Sequence, residues 1–129
     1  MCPKPRVLLL DDDVLALELY SRELATGYDV TVCESVSESR QRLNSQTVDI
    51  LIIEPAIDDG AGWGLISEIQ AVSNRPVTIV CSVEDERRAA LSRGADAYLV
   101  KPVLPTQLHA LLDQMMARRP AKPVRLGRS

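Results

Sequence analysis

The sequence predicts an α/β domain with a five-stranded parallel sheet covered by helices on both faces. Two observations lead there. Apolar runs too short for a useful helix alternate five times with stretches of helical period. Each link between successive runs is also long enough for a right-handed crossover. A chain of 129 residues suits one such domain around one core.

The elements follow in order. "RVLLLD" (6–11) is a buried strand. Residues 14–25 place Leu17, Tyr20 and Leu24 on one helical face, with Asp13 as the N-cap and Gly27 as the expected C-cap. "YDVTVCE" (28–34) is β-branched and strand-like, and the polar stretch 35–46 opens on serine and reads as a short exposed helix. "VDILIIE" (48–54) is the third strand. Residues 62–73 then put Leu65, Ile66, Ile69 and Val72 on one face of a helix. Pro76 leads into "VTIVCS", a fourth strand. A helix over 84–93 closes at Gly94, and "DAYLV" (96–100) is the fifth strand. Residues 104–118 carry Leu108, Leu111, Leu112, Met115 and Met116 at helical spacing, the clearest amphipathic pattern in the chain.

Composition removes several classes of function. With no Phe, one Trp and three Tyr, the chain has no aromatic platform for stacking bases, and its net charge of −3 gives no basic field to attract nucleic acid. Cys2, Cys33 and Cys81 form no CxxC pair, and the single His109 completes no zinc cluster; free thiols fit a reducing cytoplasm. No apolar run approaches the roughly 18 residues of a membrane span, and "MCPKPR" lacks the apolar stretch of a signal peptide. The expected organisation is one domain over 1–118 and a basic tail or linker over 119–129, whose cations could meet an acidic partner.

In parallel sheets, ligands bind beyond the carboxyl ends of the strands. Here those ends carry Asp11, Asp12 and Asp13 after the first strand and Glu54 after the third. Cys81 and Ser82 end the fourth, and Lys101-Pro102 follow the fifth. Carboxylates gathered at one end of a sheet need counter-charge. Lys101 supplies one positive charge; Mg²⁺, which needs few protein oxygens, could supply two more.

The pieces "VLLLDDDV", "VDILIIEPAIDDGAG", "PVTIVCS" and "GADAYLVKP" occur in order, and through them the chain resembles a response-regulator receiver domain over roughly residues 5 to 118. The resemblance implies the flavodoxin-like (βα)5 fold with strand order 2-1-3-4-5 and a role in two-component signalling in the cytoplasm. It implies that Asp11 and Asp12 form the Mg²⁺-binding acidic pair, with further ligands from position 54 and the backbone carbonyl of Ala56. Tyr98 matches the family's switch aromatic, Lys101-Pro102 its Lys-Pro pair, and Gly62 the glycine of the loop after the third strand. The implied partners are a histidine kinase or a downstream signalling protein. A second copy could also bind through the face of helix 4, strand 5 and helix 5.

Two positions of the phosphorylation chemistry depart from the family. Glu54 stands where the phosphoaccepting aspartate belongs, and Cys81 where a Thr or Ser hydroxyl belongs; Asp58 also replaces a common proline. In-line phosphoryl transfer is governed by position, and an error of about 1 Å, of the order of one methylene, can cost about 100-fold. A thiol is a weak donor to a phosphoryl oxygen, and Ser82 points to the opposite face of a continuing strand. The sequence therefore predicts a non-enzymatic receiver whose usual switch is lost or altered, with Mg²⁺ weakly held or absent. Two alternatives stand beside it. One is an Mg²⁺-dependent phosphatase or phosphotransferase of haloacid-dehalogenase type using Asp11 and Asp13. The other is a receiver phosphorylated on Glu54 or on a nearby acid such as Asp58 or Asp59.

Overall fold

The computed structural model describes residues 3–118; the predicted basic tail over 119–129 and Cys2 lie outside the described residues. Five strands, β1 (Arg6–Leu10), β2 (Asp29–Cys33), β3 (Ile50–Ile53), β4 (Val77–Ser82) and β5 (Ala97–Val100), alternate with helices. These are α1 (Val14–Leu24), α2 (Val36–Ser45), α3 (Ile57–Gln70), α4 (Arg87–Ser92) and α5 (Pro105–Arg118). The strands are all parallel, in the order β2-β1-β3-β4-β5.

Strand alternation divides the core in two. Leu8, Leu10, Leu51, Ile53, Val80 and Tyr98 face Val36 of α2, Leu65, Ile66 and Ile69 of α3, and Ala90 of α4. Val7, Leu9, Ile50, Ile52, Ile79 and Cys81 face Leu17, Tyr20 and Leu24 of α1 and Leu108 and Leu112 of α5. The three central strands are buried on both faces, which is why they read as continuous apolar runs. Each such side chain contributes roughly 1.5–3 kcal/mol of burial free energy, so the sheet is a rigid floor for the groups at its ends.

Helix starts match the capping residues. Asp13 accepts the Leu15 and Ala16 amides at 3.1 and 3.3 Å, and Ser35 accepts the Glu38 amide at 3.1 Å. Gly94 takes φ +101 after α4, as a left-handed C-terminal residue does.

Four expectations need correction. Gly27 does not cap α1: the helix ends at Ala25, and only Gly60 and Gly94 among the described glycines take a positive φ. The third helix closes at Gln70, so Val72 lies beyond it and is exposed. The helix also begins before residue 62, at Ile57, through a left-handed turn in which Asp58, Asp59 and Gly60 have φ of 52°, 57° and 92°. The fourth helix is only Arg87–Ser92, and residues 84–86 form a loop held by side chains of β4 and β5.

Candidate functional site

The ladder hydrogen bonds run one residue past the strands and so fix the site backbone. Asp11 N–H donates to the Cys33 carbonyl at 3.2 Å, Glu54 N–H to Leu10 at 3.0 Å, and Lys101 N–H to Ser82 at 2.8 Å. Because Leu10 pairs with Ile53, Asp11 and Glu54 come next in register and share the α1/α5 face with Leu9 and Ile52. Cys81 lies on the same face.

The structure brings Asp11, Glu54 and Lys101 together. Lys101 Nζ donates to Asp11 Oδ2 at 2.6 Å and to Glu54 Oε1 at 3.3 Å. Both carboxylates are buried, at 3% and 6% exposure, so their charges depend on this ammonium rather than on water. Burial alone would lower the Lys101 pKa. The Asp11 hydrogen bond and the charges of Asp11 and Glu54 outweigh that and hold it above the usual lysine range. The remaining oxygens are also engaged: Asp11 Oδ1 accepts Asp13 N–H at 2.9 Å, and Glu54 Oε2 accepts Ala56 N–H at 3.2 Å. The Lys101–Pro102 peptide is cis.

Asp12 and Ala56 are not drawn into this cluster. Asp12 is exposed, and the Ala56 carbonyl accepts Gly60 N–H at 3.1 Å within the left-handed turn. An all-oxygen set of Asp11, Asp12, Glu54 and the Ala56 carbonyl has the right chemistry for Mg²⁺. The arrangement does not fit that ion: among the described residues no three acidic, histidine or cysteine side chains converge as a metal site, and the Lys101 ammonium sits on the oxygens such an ion would take.

Cys81 is buried, and burial pushes its thiol up to about 11; Lys101 works against that rise, and Asp11 and Glu54 add to it. These charges act on the thiol because it borders the same pocket. Ser82 does not take its place. Its side chain points to the other face, where its hydroxyl accepts the Glu84 amide at 3.2 Å. Tyr98 is on that other face too, buried among the residues facing α2–α4. Its hydroxyl accepts Glu86 N–H at 2.7 Å and donates to the Glu84 carbonyl. Ser82 and Tyr98 thus fasten the β4–α4 loop between them.

Two of these contacts escaped the sequence reading. The Ser82 anchor had a signal in its adjacency to a polar loop. The other is Asp58, whose carboxylate accepts Val36 N–H at 2.8 Å and so ties the turn after Glu54 to the start of α2. Its signal was "DDG", a combination that favours turns with positive φ.

The sequence matches the response regulator receiver domain family over residues 7–113. It is 30% identical over 119 residues to the transcriptional activator protein PfeR of Pseudomonas aeruginosa, covering 90% of this chain and 39% of that one. It is 35% identical over 122 residues to the transcriptional regulatory protein GlrR of Escherichia coli, covering 90% and 27%. The chain therefore spans well under two thirds of these relatives. Its fold is similar to a CheY-like receiver domain protein from Methanospirillum hungatei, with TM-score 0.82, 22% identity, and coverage of 89% of this chain and 95% of that one. A two-component response regulator from Clostridium difficile aligns with TM-score 0.82 and 24% identity, covering 89% and 98%.

Proposed function

The chain belongs to the response regulator receiver domain family, a module of two-component signalling, and from that premise we propose that it signals through protein contacts without the family's usual aspartate phosphorylation switch. The observation that carries this reading is the state of Glu54. One carboxylate oxygen is held by Lys101 at 3.3 Å and the other by the Ala56 amide at 3.2 Å. The extra methylene displaces the carboxylate by about 1 Å from where an acceptor aspartate would hold it, and both oxygens already accept a hydrogen bond. The thiol of Cys81 replaces the hydroxyl that would steady an arriving phosphoryl group.

The Glu54–Lys101 contact also favours a fixed arrangement of the pocket. It does not alone lock a two-state switch, because taking an equilibrium from 1:99 to 99:1 needs about 5.5 kcal/mol. The Tyr98 and Ser82 bonds to the β4–α4 loop add to it from the other face. The partners are a histidine kinase or a downstream signalling protein, met through α4, β5 and α5. That face exposes Leu91, Val100 and Leu104 and serves equally for a second copy. The domain spans 1–118, and 119–129 is a basic linker or tail.

Phosphorylation on a neighbouring acid is less favoured, since Asp58 is committed to the Val36 amide. The haloacid-dehalogenase alternative has no support: Asp13 is spent capping α1, and Asp113 is the only acid that follows Lys101 in the sequence.

The test is incubation with a small acyl-phosphate donor, read by intact-mass spectrometry. The native chain stays unlabelled. Glu54→Asp gains an acid-labile phosphoryl group, and Glu54→Asp with Cys81→Thr gains it faster, the two changes together approaching the roughly 100-fold that about 1 Å of misplacement costs. Labelling of the native chain that disappears in Glu54→Gln overturns the reading.

A further inference from the structure

We infer that Lys101 is the resident cation of this pocket and that the pocket, unlike the family's, does not take a divalent ion. The inference deepens the reading of Glu54 given above and rests on it.

The candidate ligand oxygens of Asp11, Glu54 and the Ala56 carbonyl already accept protein donors. Asp11 holds Lys101 Nζ at 2.6 Å and Asp13 N–H at 2.9 Å. Glu54 holds Lys101 Nζ at 3.3 Å and Ala56 N–H at 3.2 Å, and the Ala56 carbonyl holds Gly60 N–H at 3.1 Å. Mg²⁺ demands near-ideal octahedral geometry with oxygens at about 2.0–2.1 Å. To bind it, Asp11 Oδ2 would have to give up an ammonium at 2.6 Å, and the two cations would then repel at short range. Asp12, the acid that could offset that repulsion, is exposed and joins no metal-holding group with Asp11 and Glu54 among the described residues.

Side-chain length explains why glutamate suits this arrangement. An aspartate at position 54 is one methylene shorter, so its carboxylate draws back from the Lys101 ammonium that Glu54 meets at 3.3 Å. It would leave an oxygen free to bind metal. The turn itself is braced from outside, through the Asp58 contact with Val36 N–H at 2.8 Å. The Ala56 carbonyl is thereby kept in its bond to Gly60.

The experiment is calorimetric titration of the full chain with MgCl₂ at constant ionic strength, with parallel thermal melts in EDTA and in Mg²⁺, and no phosphodonor present. The native chain should bind Mg²⁺ at least tenfold more weakly than Glu54→Asp, and its melting temperature should not move with Mg²⁺. Lys101→Met should melt lower than native in EDTA and recover part of that loss when Mg²⁺ is added. Native affinity equal to or tighter than that of Glu54→Asp overturns the inference, and so does a Lys101→Met melt indifferent to Mg²⁺. If Lys101→Met does not fold, the comparison of native with Glu54→Asp decides alone. Tight Mg²⁺ binding without labelling defeats this inference only; labelling without tight Mg²⁺ binding defeats the proposed function only.

Discussion

The Tyr98 hydroxyl accepts the backbone N–H of Glu86 at 2.7 Å. A side chain buried against α2–α4 thereby fixes a loop whose own residues, 83–86, are exposed. Tyr98→Phe keeps the ring in the core and removes only the hydroxyl. The freed loop groups can turn to water, so the cost is that of an ordinary hydrogen bond, about 0.5–1.5 kcal/mol. Amide exchange at Glu86 should accelerate while exchange in β4 stays slow. Unchanged protection at Glu86 would mean that the Ser82 contact with the Glu84 amide suffices to hold the loop.

The turn after Glu54 gives a paired prediction. A Cβ on Gly62 would lie 2.7 Å from the Pro55 Cα and 2.8 Å from its carbonyl oxygen, backbone atoms next to Glu54 that cannot swing aside. Gly62→Ala should cost about 1–3 kcal/mol as an overpacked contact and shift the resonances of Glu54 and Lys101. A Cβ on Gly60 meets nothing within 4 Å, but φ there is +92°. Gly60→Ala should cost about 1 kcal/mol through the backbone alone and leave the Lys101 resonances in place. Urea midpoints and two-dimensional spectra separate the two cases.

That contrast shows which parts of the molecule were legible in the sequence. Ile50 to Ile53 could be read as a strand because burial on both faces demands an unbroken apolar run. The convergence of Asp11, Glu54 and Lys101 followed, since parallel strands deliver their ends to one side. The fourth helix was overestimated because "EDERR" has helical propensity but no apolar face. Tertiary bonds from Ser82 and Tyr98 take residues 84–86 for the loop instead. Asp58 was opaque for a related reason. Its partner, Val36 N–H, lies 22 residues away in sequence, and periodicity carries no information about such a contact. Asp11 and Asp12 looked equivalent as neighbours. Only the strand alternation that buries one and exposes the other separates them.

Cys81 makes the stability of the domain sensitive to alkaline pH. Burial pushes its thiol up to about 11, whereas an unfolded thiol loses its proton near about 8.5. Above that lower value the folded chain keeps a proton that the unfolded chain has released. Stability from this group is therefore complete below about pH 8.5 and falls as pH rises toward 11. Between pH 8.5 and 10 the loss should reach about 2 kcal/mol, at 1.36 kcal/mol per unit. Lys101 acts in the same direction but later. Its pKa is raised in the fold, so its contribution is full below about 10.4 and is lost only above that. Cys33, also raised by burial, contributes to the lower window in both proteins compared. The measurement is the urea midpoint of native and Cys81→Ala chains at steps from pH 7.5 to 10. The native midpoint should fall more steeply above pH 8.5, and the difference between the two curves isolates Cys81. Parallel curves would place this thiol in contact with water and remove it from the pocket wall beside Lys101.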